Sequence, residues 1–193
     1  MKKEQYLEIA KKYGDCSSWA VWADVGLTPK SNIGDLSVFD HRMNPSLLNQ
    51  LNPNRIMVGL NIARPLDGIF ANFHDGKSMS QDYKIRHAFK DTCFHGAYMT
   101  DIIKYLPCKD SREVVRYLNA SPSFERESAS KFEKELSDVS TEDPLIIAFG
   151  NDAFAVVTKY FGQKFRIAKV THYSHQINKE DYRKHVAEIL ARF

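Results

Sequence analysis

Three polar side chains stand at the ends of apolar runs that read as buried strands. Asn61 follows Ile56-Met57-Val58-Gly59-Leu60, Asp101 follows Ala97-Tyr98-Met99-Thr100, and His172 follows Phe165–Val170. Short continuous apolar runs are the pattern of strands covered on both faces. Open α/β sheets place their sites at the carboxyl ends of parallel strands, where residues far apart in sequence converge. Together the three offer a neutral amide, a carboxylate and an imidazole, hence both donors and acceptors. Taken singly, each has an ordinary alternative: Asn61 as a turn former, Asp101 as a helix cap, His172 as a satisfied surface or core histidine. Their repeated position relative to buried strands is what joins them.

The elements that must position these residues alternate along the chain. Residues 2–13 carry Tyr6, Leu7, Ile9, Ala10 and Tyr13 at helical spacing and stop at Gly14-Asp15. Residues 15–45 hold both tryptophans, Trp19 and Trp22, and turn signals at Pro29, Asn32-Ile33-Gly34-Asp35 and Asn44-Pro45, so they read as irregular but packed. Ser46 is expected to cap a short helix through Leu51. The strand at 56–60 passes into a loop over 62–82, longer than most connections, with Phe70-Ala71-Asn72-Phe73-His74-Asp75 inside it. A helix over 83–94 and a second strand at 97–101, leading to a loop at Pro107, come next. Helices over 110–118 and 124–139 follow, the latter with Ser123 as its cap, then a third strand at 145–149. Gly150-Asn151-Asp152 opens a helix that Gly162 stops; a fourth strand at 165–170 leads into Thr171-His172-Tyr173-Ser174-His175 and a helix over 179–192. This alternation predicts one three-layer α/β/α domain over 1–193, with a central four-stranded parallel sheet and an N-terminal extension, residues 1–50. Strands 56–60 and 145–149 are expected to be central.

The bulk properties agree with one core: 193 residues, 43% hydrophobic and 26% charged. A net charge of +3 and a pI near 8.6 permit a polyanionic partner without requiring one. Cys16, Cys93 and Cys108 cannot all pair internally, and their spacing is not that of a zinc ribbon, so buried reduced thiols in a cytoplasmic protein are expected. Met-Lys-Lys-Glu-Gln leads into a charged helix rather than an apolar core, so no signal peptide is expected. No apolar run approaches membrane-spanning length, and no membrane, metal or cofactor is expected.

The strand-end residues also resemble a family. Gly59-Leu60-Asn61 after a buried strand looks like the water-activating motif of the uracil-DNA glycosylase superfamily, in the branch with Gly-x-Asn at that place. Tyr98-Met99-Thr100-Asp101-Ile102-Ile103-Lys104 is similar to its base-reading strand, usually apolar-Thr-Asn-apolar-apolar-Lys. Leu145–Ala153 resembles its apolar strand followed by Leu-Gly-x-x-Ala, and His172-Tyr173-Ser174-His175 its His-Pro-Ser-Pro loop. The resemblance covers roughly residues 56–190 in consistent order. Ile62 replaces the usual proline after Gly-x-Asn, Tyr173 and His175 replace both prolines of the loop, and Asp101 stands where the family has Asn. The branches with a four-cysteine iron–sulfur cluster are excluded, since this chain has three cysteines.

The resemblance implies cleavage of an N-glycosidic bond in DNA after the base leaves the stack. Asn61 and His172 are then the catalytic pair, one holding a water beneath C1′ and the other donating to the departing base. Phe73 and Asp101 bind the base, Phe73 by stacking. Ser174 and His175 grip the strand beside it, with Lys169 and Lys179 on the phosphates. Residues 159–193 carry eight Lys and Arg against three Asp and Glu, which suits a phosphate backbone or, equally, a solvated helix face. An ionised Asp101 offers acceptors only, which mismatches the alternating edge of uracil and points to another, damaged or modified base. Two other readings remain open: a non-catalytic fold relative binding DNA, a nucleotide or a protein, and a hydrolase of free nucleosides.

Overall fold

Apolar runs become strands in this fold, and the amphipathic segments between them become helices covering both faces of the sheet. The computed structural model describes residues 1–104, 106, 108–140 and 143–192. In order these form α1 (Lys3–Tyr13), β1 (Ser17–Trp19), a 3-10 turn (Leu36–Phe39), α2 (Leu47–Gln50), β2 (Asn52–Asn61), α3 (Tyr83–Phe89) and β3 (Ala97–Ile103). Then come α4 (Ser111–Ala120), α5 (Pro122–Val139), β4 (Leu145–Phe149), α6 (Gly150–Phe161), β5 (Arg166–Val170) and α7 (Lys179–Leu190).

The sheet is five-stranded and mixed, in the order β1-β3-β2-β4-β5. The pairs β2–β3, β2–β4 and β4–β5 are parallel, and β1 joins β3 antiparallel, Ser17 opposite Thr100 and Trp19 opposite Tyr98. The expectation of a purely parallel four-stranded sheet is therefore corrected. Ser17-Ser18-Trp19 is too short for its alternation to register in the sequence, and it lies within the stretch expected to be irregular. Several smaller features also differ. β2 starts at Asn52, with a register shift before Ile56 in the stretch containing Pro53, which has no N–H for the ladder. α3 ends at Phe89, and α5 begins at Pro122, the favoured first-turn position for proline, so Ser123 is not its cap. Ser46 makes no capping bond. Cys16 is buried but Cys93 is exposed. The expected turn at Pro107 lies outside the described residues.

Two apolar layers flank the sheet. Ile56, Val58 and Leu60 of β2, with Ile146 and Ala148 of β4, pack with Ile9 of α1, Val114 of α4, Phe132 of α5 and Val157 of α6. Met57, Met99, Ile147 and Phe149 point the other way, towards Ile85 and Phe89 of α3 and Tyr182 and Val186 of α7. One polar cluster interrupts the first layer. Glu135 of α5, 1% exposed, accepts from Tyr98 Oη at 2.7 Å and Thr100 Oγ1 at 2.8 Å, and its other oxygen pairs with Lys104. Lys104 Nζ also donates to the Asp101 carbonyl at 2.7 Å, tying the end of β3 to the helix beneath it. Among the described residues, no helix is long and apolar enough to cross a membrane.

Candidate active site

All four parallel strands end on one edge of the sheet, and the residues singled out in the sequence lie there. Asn61 is the last residue of β2, whereas Asp101, expected to end a strand over 97–101, lies two residues before the end of β3, opposite Gly59, because the apolar Ile102 and Ile103 carry the strand on. His172 comes two residues after β5. β4 lies between β2 and β5, so the backbones carrying Asn61 and His172 are two ladder spacings apart, about 10 Å.

The Asn61 side chain is fixed through its nitrogen. Nδ2 donates to the carbonyls of Leu106 at 3.1 Å and Cys108 at 2.8 Å, which uses both amide hydrogens. Its Oδ1 has no hydrogen-bond partner among the described residues, and remains an acceptor of set direction. His172 is fixed in the complementary sense. The Ser174 backbone N–H donates to His172 Nδ1 at 3.2 Å, and Ser174 Oγ lies 2.7 Å from the same nitrogen. A backbone N–H can only donate, so Nδ1 carries the lone pair and Nε2 the proton. Burial lowers the imidazole to about 4, against the opposing pull of Asp152, so His172 is a neutral donor at physiological pH. Gly150 makes room for it: its φ is +84°, and a Cβ there would lie 3.2 Å from the His172 Cβ.

Between these two ends lies a cluster that the sequence exposed only in part. Asp101 is 4% exposed, and its Oδ2 accepts from Asn72 Nδ2 at 2.7 Å. Its Oδ1 lies 2.2 Å from where a Cβ on Gly59 would stand, so only glycine admits the carboxylate across β2. Burial raises Asp101 to about 6, with the Asn72 bond and Lys104 holding it down. Asn72 in turn accepts from the Phe73 N–H at 3.1 Å and donates to the Cys16 carbonyl at 3.2 Å. Asp101 thus clamps the loop that carries Phe73. Phe70 and Phe73 both have left-handed backbones, φ +62° and +59°, a conformation costly for bulky residues and held here by that clamp.

The remaining clamps come from the N-terminal segment. Ser18 Oγ donates to the Phe70 carbonyl at 2.7 Å, Phe70 N–H donates to the Gly14 carbonyl at 2.6 Å, and buried His74 Nε2 lies 3.0 Å from the Val21 carbonyl. Residues 14–21, which sequence reading left without a role, are therefore the backing of the site loop.

Phe73 is 4% exposed and is no open platform. Tyr173 packs against it edge-on at 6.3 Å, meets Phe149 at 5.4 Å, and stacks on His172 at 4.3 Å and 24°. Burial pushes the phenol well above 10, and the charges of Asp82 and Asp101 push it further. Asp82, buried at 7% exposure and also raised by burial, accepts from the Asp75 N–H at 2.8 Å. Tyr173 could have been noticed as the departure inside a quoted loop; Asn72 and Asp82 read only as ordinary turn and cap residues.

The expected phosphate contacts are mostly engaged within the chain. Lys179 pairs with Glu180, Lys159 with Glu125, Lys164 with Glu133, and Arg183 with Asp91. Lys169 Nζ donates to the neutral Asn151 Oδ1 at 2.8 Å, so its charge is uncompensated there. Ser174 and His175 are exposed beside the site, and the His175 carbonyl accepts from Lys84 Nζ at 3.1 Å. Among the described residues no group of three or more His, Cys, Asp or Glu is placed to hold a metal. Comparison with known proteins adds no assignment: no family model, no curated protein and no solved structure matches the chain.

Proposed function

We propose that this edge binds a nucleobase turned out of a nucleic-acid strand and hydrolyses its N-glycosidic bond, in the manner of the uracil-DNA glycosylase superfamily that its strand-end residues resemble. The observation that carries the reading is a pair of fixed groups without a hydrogen-bond partner among the described residues, the Asn61 Oδ1 acceptor and the His172 Nε2–H donor, on strand ends whose backbones lie two ladder spacings, about 10 Å, apart. A water accepted at Asn61 Oδ1 stands on one side of C1′. Asn61 is no strong base, so the burden falls on the leaving base. A neutral Nε2–H donating to an oxygen of that base stabilises charge that appears only in the transition state. Phe73 supplies a ring whose stacking, about 1–3 kcal/mol, offsets part of the cost of flipping once Tyr173, which covers it, gives way.

The test is abasic-site formation on single- and double-stranded oligonucleotides carrying uracil or guanine lesions. Asn61→Ala and His172→Ala are each expected to lower the rate about 100-fold or more. The carboxylate partners of the basic residues favour a second reading, a hydrolase of free nucleosides using the same groups. Release of base from nucleosides but not from oligonucleotides selects it, and release from neither decides against catalysis.

A further inference from the structure

The slot beside Phe73 is filled by the chain's own ring. Tyr173 is flat and aromatic, lies against Phe73, Phe149 and His172, and carries a phenol O–H donor. Asp101 borders the same space: a Cβ on Gly59 would meet Asp101 Oδ1 at 2.2 Å and Phe73 Cζ at 3.3 Å, and Tyr173 packs against that Phe73 ring. Asp101 Oδ1 has no hydrogen-bond partner among the described residues, although the residue is 4% exposed. The segment after Tyr173 is exposed at Ser174, His175 and Gln176, is tied through Ser174 and His175 to His172 and Lys84, and leads to a helix that starts only at Lys179. A ring at 173 can therefore leave by rearranging a short surface loop, without disturbing the sheet.

We propose that Tyr173 is an internal placeholder, and that the site takes its ligand by exchanging this phenol for a planar base whose edge presents N–H donors to Asp101, as guanine does and uracil does not. This rests on the reading that the edge binds a base, and it adds both the exchange and the class of base. The acceptors set the preference. A carboxylate facing a donor edge is satisfied, whereas facing the O4 of uracil it is lone pair against lone pair. A buried polar group left unpaired penalises the wrong ligand heavily. Burial raises Asp101 to about 6, with Asn72 and Lys104 opposing and Glu135 and Asp82 adding to it, so the preference is expected to change with pH. Below that value the protonated carboxyl gains a donor, and a uracil-like edge becomes acceptable.

The experiment uses the full chain with 9-methylguanine and 1-methyluracil, whose glycosidic nitrogens are blocked, and phenol as the mimic of the displaced ring. Tyr173→Ala is expected to bind 9-methylguanine about tenfold more tightly than wild type does, and about tenfold more tightly than it binds 1-methyluracil at pH 8. Adding Asp101→Asn should reverse that preference. No gain for 9-methylguanine, equal binding of 1-methyluracil, or binding of phenol alone would overturn the inference and leave Tyr173 an ordinary packing residue. Should the alanine variant not fold, fluorotyrosine placed at position 173 of the otherwise wild-type chain reports by fluorine NMR. Saturating 9-methylguanine should move its resonance to a solvent-exposed position, and an unmoved resonance overturns the exchange. Abasic-site formation without exchange leaves the glycosylase reading standing and this inference fallen. Exchange without any cleavage does the opposite.

Discussion

Asp101 carries opposite consequences for stability and for recognition. Its pKa is raised from 3.8 to about 6 by burial, so the folded chain holds this proton more tightly than the unfolded one. That contribution is complete below about pH 4 and is lost as pH rises through 6. Asp101→Asn removes the buried charge while keeping an acceptor for Asn72. The variant is expected to be more stable than wild type at pH 8, by up to about 3 kcal/mol, and no more stable at pH 4. Urea unfolding at the two pH values checks this, and the same difference at both would show that the carboxylate is not held as described. The comparison must be made at each pH, because His74 has the opposite sign: burial lowers it to about 4, so its contribution is whole above 6.5 and falls as pH drops. At this scale the positions of Asn61 and His172 at strand ends were legible in the sequence because each follows a recognisable apolar run, whereas Asp101 lies inside β3, two residues before its end. Tyr173 and Asn72 were not legible, because their roles exist only through partners such as Phe149, Cys16 and Asp101, all more than 20 residues away.

At the scale of elements, β3 is held from below by one buried carboxylate. Glu135→Ala would leave Lys104 charged and unpaired beneath the sheet and take the acceptor from Tyr98 and Thr100. The expected loss is about 3–5 kcal/mol in chemical denaturation. Glu135→Gln, which keeps an acceptor, should fall between it and wild type; an unchanged midpoint for both would rule out this buttress. The strands β2 to β5 were legible from their apolar runs, and the helices from their spacing. β1 was not, since three residues give too little alternation and what makes them a strand is the free edge of β3. The positive φ values at Phe70 and Phe73 were equally hidden, because nothing in a Phe residue announces a left-handed backbone.

For the molecule as a whole, formal charge counted along the chain overstated what is free to meet a phosphate. Lys169 meets the neutral Asn151 amide and the Phe154 ring, with no carboxylate partner among the described residues, whereas Lys179 has Glu180. Lys169→Glu is therefore expected to weaken DNA binding and lower its salt slope by about one, with Lys179→Glu doing less. Fluorescence anisotropy across a salt series measures both, and undetectable binding at low salt would move the nucleoside hydrolase ahead. One consequence of the N-terminal backing concerns time rather than place. The bonds from Gly14, Cys16, Ser18 and Val21 to residues 70–74 span some fifty residues of chain, and closing such loops is slow relative to local structure. These stitches can also reopen together while the sheet stays intact, as local unfolding commonly does. Hydrogen exchange should then find the Phe70 amide, which donates to Gly14, protected to an intermediate degree, below Met57 and Ile147. The site would come apart, and reassemble, many times within the lifetime of a single folded molecule.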